Sequence, residues 1–200
     1  MTSQLYQAAR LHLGQRQIGF DYIFDYLKDI KDPTIIETGC ARTEGNWDGD
    51  GQSSLLFDAH IKEFGGQFMT IDISPESTKY CLSKMQCERS AVCEGDSIKF
   101  LYGLGKNMQK NNSQINLLYL DSFDAPRDDL AVTNKSALHH LYELTSIMPS
   151  LAPGCLIGVD DNWVVNGQLE GKGKYVYDYF KSLGIEPCLA AYQFFWKLPA

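Results

Sequence analysis

Five short apolar runs along this chain each end on an acidic residue, and stretches of helical spacing separate them. The runs are Thr34-Ile35-Ile36-Glu37, Gln67 to Ile71 before Asp72, Ala91 to Cys93 before Gly95-Asp96, Ile115 to Leu120 before Asp121, and Cys155 to Val159 before Asp160-Asp161. Short apolar runs bounded by turn residues read as buried strands. Strand and helix in alternation build a parallel sheet covered on both faces. Such sheets take their ligands in the crevice at the carboxyl ends of the strands. The residues expected there are Glu37, Asp72, Asp96, Asp121, Asp160 and Asp161.

Between the runs, apolar residues recur at helical spacing. Residues 3–30 predict two helices separated by Gly14 to Gly19, the second stopped by Asp32-Pro33. Ser53 to Phe64 reads as a helix, and Ser74-Pro75-Glu76 starts another with proline just inside. A helix runs through Phe100 and Leu101, one from about Lys135 to Met148, and one from Lys174 to Leu183 before Gly184. Pro187 to Leu198 predicts one or two closing strands. The chain divides into N-terminal helices over 1–33, an acceptor-side lid or dimer contact through Leu5, Leu11 and Leu13, and an α/β domain over 34–200.

Composition narrows the class. Of 200 residues 44% are hydrophobic and 22% charged, which excludes wholesale disorder. A net charge of −7 argues against a nucleic-acid partner, which needs clustered Lys and Arg. No run approaches the ~20 apolar residues of a membrane span, and the N-terminus lacks a signal-peptide pattern. The expectation is a cytoplasmic protein without a membrane partner. Its six cysteines (Cys40, Cys81, Cys87, Cys93, Cys155, Cys188) are then expected as free thiols. None shows zinc spacing, and buried thiols acting as small hydrophobes are favoured over a Cys81, Cys87, Cys93 site.

The acidic strand ends limit the ligand. Gly39-Cys40-Ala41-Arg42-Thr43-Glu44-Gly45 contains neither G-K-[ST] nor G-x-G-x-x-G. Gly49-Asp50-Gly51-Gln52-Ser53-Ser54 only begins the second fingerprint and follows a polar loop. Carboxylates suit ribose hydroxyls, a divalent metal or a cationic sulfonium, so S-adenosyl-L-methionine (SAM) fits better than NAD.

Glu37-Thr38-Gly39, Ile71-Asp72, Gly95-Asp96-Ser97 and Leu120-Asp121 stand in the order and strand-end positions of class I SAM-dependent methyltransferases. Leu120-Asp121-Ser122-Phe123-Asp124, Pro149-Ser150-Leu151-Ala152-Pro153-Gly154 and Ile157-Gly158-Val159-Asp160-Asp161 resemble the metal-dependent macrocin-type sugar O-methyltransferases. Gly173 to Phe180 with Gly184-Ile185 resembles their closing helix. The chain departs from them in the insertion Arg42 to Asp50, in Cys155 for a second glycine, in Asn162 for an aromatic residue, and in Asp124 where relatives often carry Lys or His.

The resemblance implies a Rossmann-like, doubly wound, mostly parallel seven-stranded sheet whose last strand is antiparallel. It implies a cofactor site formed by Glu37, Thr38, Gly39, Ser53, Ser54, Asp72, Ile73, Asp96, Ser97 and Asp121. Within it, Gly39 would admit the methionine end and Asp72 would accept the ribose hydroxyls. Asp96-Ser97 would either flank the adenine or cap a helix. Adjacent strands lie ~4.8 Å apart, so Asp121, Asp160 and Asp161 are expected to converge on Mg2+ or another divalent cation; the competing role for Asp160 and Asp161 is capping a turn. Asp121 and Asp124 are the catalytic candidates, Asp124 as general base.

Asn46-x-Asp48-x-Asp50-Gly51 matches half of a calcium loop, but Phe57 stands in place of its bidentate Glu. A lid over the cofactor, anchored by Trp47, is the preferred reading of that segment. His139-His140 and the run Tyr192, Phe194, Phe195, Trp196 read as structural. The expected activity is metal-assisted methyl transfer from SAM to a hydroxyl of a small-molecule acceptor, a sugar included, by a protein able to form a homodimer. The alternatives at this point are metal-independent transfer to nitrogen or a macromolecule, NAD-dependent oxidoreduction, and a non-catalytic SAM-binding protein.

Overall fold

The structure is a computed structural model that describes residues 2–50 and 52–199. Helices α1 (Gln4–Ala9) and α2 (Gln17–Leu27) precede β1 (Thr34–Thr38), α3 (Ser53–Phe64), β2 (Gln67–Asp72), α4 (Pro75–Lys84), β3 (Ser90–Glu94), α5 (Ser97–Lys110) and β4 (Ile115–Leu120). Then come α6 (Leu130–Ile147), β5 (Leu151–Val159), β6 (Asn162–Val165), β7 (Gln168–Gly171), α7 (Lys174–Ser182), β8 (Leu189–Ala190) and β9 (Phe194–Lys197). The main sheet has seven strands in the order β3-β2-β1-β4-β5-β9-β8. β1 to β5 pair in parallel, and β9 runs antiparallel to β5 and β8. The strand order turns outward from β1 and β4, which places the crevice at their carboxyl ends.

Alternation along β4 sets the two layers of the core. Leu118 and Leu120 face Ile36, Ile71, Ile157, Phe180 and Trp196 on one side. Leu117 and Tyr119 face Phe20, Phe24, Phe57 and Phe195 on the other. That second layer is closed by the N-terminal helices: Phe20 lies 5.9 Å from the Tyr119 ring. The N-terminal helices therefore cover the sheet itself. Leu13 is fully buried there, so of the three residues expected on a dimer face only Leu5 and Leu11 are exposed.

Three elements differ from expectation. α6 begins at Leu130, because Asp129 accepts hydrogen bonds from the backbone of Ala131 and Val132 and caps it there. β5 begins at Leu151, its pairing with β4 shifting register between Ile115 and Leu117; the Pro153-Gly154 turn signal hides this start. The β6–β7 hairpin lies where no strand was expected. Its turn is Asn166-Gly167, both at positive φ (51° and 78°), a strong hairpin signature. Among the described residues no helix is long and apolar enough to cross a membrane.

Candidate functional site

A cavity of about 560 Å3 opens at the carboxyl ends of β1 to β4. Its volume lies in the ordinary range for small-molecule sites. Gly39, Ser53, Asp72, Ile73, Asp96, Ser97 and Asp121 line it, and so do Asp124 and Asp161. Three other expected cofactor residues lie beneath the wall. Glu37, Thr38 and Ser54 are fully buried. Ser54 donates to Glu37 at 2.5 Å and accepts from the Ala41 backbone at 3.1 Å, and Thr38 donates to Glu143 at 3.1 Å. These contacts brace the loop after β1.

Gly39 sits at φ +80°, and a Cβ there would stand 2.3 Å from the Asp121 carbonyl oxygen. The close approach that requires glycine is thus to the end of β4. Asp72 accepts from the backbone N–H of Cys40 at 3.1 Å and of Ser74 at 2.8 Å, and so holds two loops together. Ser74 caps α4 by accepting from Ser77, as its sequence position suggests. Asp96 caps α5 through the Lys99 N–H at 3.0 Å while also facing the cavity, so both of its expected roles are open to it.

The insertion between β1 and α3 covers the mouth. Arg42 donates to both oxygens of Asp124, at 3.0 and 3.2 Å, and to Asp50 at 3.3 Å. Trp47 packs against the core layer that the N-terminal helices close. Asp124 is therefore spanned by a guanidinium, an arrangement the sequence spacing did not reveal.

The three acids at the ends of β4 and β5 do converge, but on side-chain cations. Lys172 Nζ lies 2.6 Å from Asp121 Oδ1 and 2.8 Å from Asp161 Oδ2. Arg16 Nε lies 2.7 Å from Asp160 Oδ2, and its Nη2 lies 3.1 Å from Asp161 Oδ1. Tyr119 donates to Asp160 at 2.9 Å, and Tyr192 donates to Asp161. Burial opposes charge on Lys172, yet Asp121, Asp161 and Asp160 hold its pKa above the usual lysine range. Burial alone would raise Asp161; Lys172 and Arg16 keep it below the usual carboxylate range. Asp121 is pushed well above that range by burial, with Asp160 and Asp161 adding to the shift and Lys172 and Arg16 opposing it.

The expectation of a divalent ion on Asp121, Asp160 and Asp161 does not fit this arrangement. A magnesium ion needs oxygen ligands at about 2.0–2.1 Å, and the ammonium of Lys172 stands between two of its three ligands. Among the described residues no group of three or more His, Cys, Asp or Glu side chains is placed to hold a metal; Gly51 of the half calcium loop lies outside them. The described cysteines are free thiols, with Cys81 and Cys155 buried and Cys188 exposed.

His139 is the second site residue that the sequence concealed. It lines the cavity, 3.0 Å from Ser97 Oγ and 3.2 Å from Glu143 Oε1. His140 is fully buried and reads as structural, its pKa pushed down to about 4 by burial. A mid-helix His-His pair gives no sign of which ring faces the cavity. Arg16 and Lys172 were equally hidden: Arg16 lies 144 residues from Asp160, and Lys172 stands among ordinary glycines.

Comparison with solved structures identifies the architecture. MycE, a methyltransferase of mycinamycin biosynthesis solved with Mg and SAH (S-adenosylhomocysteine), matches at TM-score 0.59 and 15% identity over 92% of this chain. The chain has the class I methyltransferase fold. CalS11, a TDP-rhamnose 3'-O-methyltransferase of calicheamicin biosynthesis, matches at TM-score 0.61 and 15% identity, covering 97% of this chain and 84% of its own. NodS, an N-methyltransferase from Bradyrhizobium japonicum WM9, matches at TM-score 0.54 and 11% identity, covering 92% and 96%. This chain spans about half of MycE, 48% of its length. No protein-family model matches the sequence, and no curated protein matches it.

Proposed function

We infer that this protein transfers a methyl group from SAM to a hydroxyl of a small-molecule acceptor, a sugar being one candidate. The observation that carries the reading is the cavity at the carboxyl ends of β1 to β4, with Gly39, Asp72, Asp96 and Asp121 on its wall within this fold. When bound, SAM supplies an electrophilic methyl on a sulfonium.

The chain's own residues supply placement, which carries most of the rate in such a transfer. Asp72 offers its carboxylate to the ribose hydroxyls, and Asp96 with Ser97 borders the adenine side. Asp121 faces the reacting end. Asp121 would receive the proton of the acceptor hydroxyl as that oxygen takes the methyl group and the sulfonium leaves as a neutral thioether. Asp121 engages Lys172 through Oδ1 alone and keeps its second oxygen for the hydroxyl proton, whereas Arg42 spans both oxygens of Asp124. Asp121 is therefore the base in this reading, and Asp124 a strap for the loop.

The test is calorimetry with SAH, followed by transfer of labelled methyl to hydroxylated acceptors. Failure of SAH to bind ends the reading. A second reading is transfer to an amine, since the N-methyltransferase NodS shares this fold. Labelling of amines in preference to hydroxyls in the same assay selects it.

A further inference from the structure

The acid cluster at the ends of β4 and β5 already contains its cation. We propose that Lys172, together with Arg16, takes the place of a divalent ion in this site, so that the protein works without metal and Lys172 acts as a positioning residue for Asp121. The metal-free assignment stands on geometry alone; the role in transfer rests on the methyl-transfer reading.

Lys172 bridges carboxylates from two neighbouring strands, which is the place a bridging ion would take. It is 1% exposed. A buried ammonium is tolerated only when paired, so the bridge is a condition of the fold and no passing surface contact. Arg16, 5% exposed, engages Asp160 and again Asp161, and each acid of the cluster thus has a cationic partner. A hard divalent ion would have to displace both buried cations from the carboxylates they pair with.

The backbone around Lys172 is built to hold it there. Gly171 has φ +99°, and a Cβ on it would lie 2.1 Å from the Asp161 carbonyl oxygen. A Cβ on Gly173 would lie 2.4 Å from Asn162 Oδ1, which accepts the Gly173 N–H at 2.7 Å. Asn162 also donates to the carbonyls of Val159 and Asp160, at 2.8 and 3.1 Å, and the Lys172 N–H bonds the Asp161 carbonyl at 3.2 Å. The roots of the β6–β7 hairpin, Asp160-Asp161-Asn162 and Gly171-Lys172-Gly173, are clamped together. The clamp is made by the asparagine that stands where the sugar O-methyltransferases were expected to carry an aromatic residue.

Binding of Mn2+ to the full chain, read by calorimetry and electron paramagnetic resonance, tests the proposal alongside methyl transfer in chelator. The wild type is expected to bind no Mn2+ at this cluster and to lose no activity in EDTA. Lys172→Ala is expected to gain a Mn2+ site that the wild type lacks, with the gain abolished by adding Asp161→Asn. Lys172→Arg should keep the wild-type indifference to metal. Mn2+ binding by the wild type that Asp161→Asn removes, or activity silenced by EDTA and restored by Mg2+, overturns the proposal. A folded Lys172→Ala with no gain in affinity overturns it as well. Should that variant not fold, the wild-type measurements decide by themselves. SAH binding is measured separately, so its absence would end the methyl-transfer reading and leave the Mn2+ result standing.

Discussion

His139 Nε2 stands 3.2 Å from Glu143 Oε1, one helical turn along α6, and links the cavity wall to a carboxylate that solvent does not reach. Ser122 donates to that same oxygen at 2.7 Å, and Thr38 donates to the other at 3.1 Å. Burial pushes the His139 pKa down, but Glu143 more than offsets it and the net direction is up. Burial likewise raises Glu143, and the two histidines hold it below its ordinary value. The histidine term stabilises the fold below about pH 6.5 and is lost as pH rises through the shifted value; the carboxylate term is present above about pH 4.5 and is lost on acidification.

Glu143→Gln should therefore lower the His139 titration midpoint and cost about 1–3 kcal/mol, the scale for disturbing a buried hydrogen-bonded charge. Histidine NMR titration and urea denaturation read the two effects. An unmoved midpoint would show that the pair carries no charge.

Asp72 holds the loops after β1 and β2 while facing the cavity. Asp72→Ala should weaken SAH binding by about 1–3 kcal/mol, roughly 5- to 150-fold, through loss of charge-assisted hydrogen bonds. Because the Cys40 and Ser74 N–H groups also lose their partner, a fall in thermal stability should accompany it. Calorimetry on the folded variant separates the two, and undiminished affinity would remove Asp72 from the cofactor site.

Glu37 is fully buried, and its Oε1 has no partner among the described residues. Burial raises its pKa to about 8, while hydrogen bonds from Ser53 and Ser54 pull the other way. The native state then keeps a proton that the unfolded chain releases near its ordinary 4.5. Stability from this group is complete below about pH 4.5, declines as pH rises toward about 8, and is flat beyond. Glu37→Gln should remove that decline. Urea denaturation at about pH 5 and about pH 9 checks it; parallel losses in variant and wild type would assign the decline to other groups.

The sequence carries the frame of this molecule well because frame and pattern share one cause. Each buried parallel strand must be apolar and each stops at the crevice, so Glu37, Asp72, Asp121 and Asp160 mark the carboxyl ends of β1, β2, β4 and β5 even though Glu37 and Asp160 are themselves buried. The convergence of Asp121, Asp160 and Asp161 was legible for the same reason. What neutralises them was not. Arg16 reaches Asp160 from the far end of the chain, and Lys172 arrives by a hairpin whose Asn166-Gly167 turn was the one readable trace. Like charges in a cluster announce that a cation is needed, and spacing alone does not say whether a metal or a side chain supplies it.

Two aspartates compete for the role of base, and their surroundings separate them. Asp121 Oδ1 is fixed by the buried ammonium of Lys172, and the residue lines the cavity. Asp124 is exposed and spanned by Arg42, which stands on the insertion across the cavity mouth. Asp121→Asn should slow methyl transfer by ~10²-fold or more, the scale for losing a general base. Asp124→Asn should keep the rate within roughly tenfold of the wild type. Its effect should fall on exchange: with the Arg42 pair broken, the insertion opens more readily and SAH dissociates faster in stopped-flow fluorescence. Arg42→Ala should reproduce that faster release, since it cuts the same pair from the other side. A ~10²-fold loss in Asp124→Asn with Arg42→Ala near normal would instead make Asp124 the base and return Asp121 to a purely positional part.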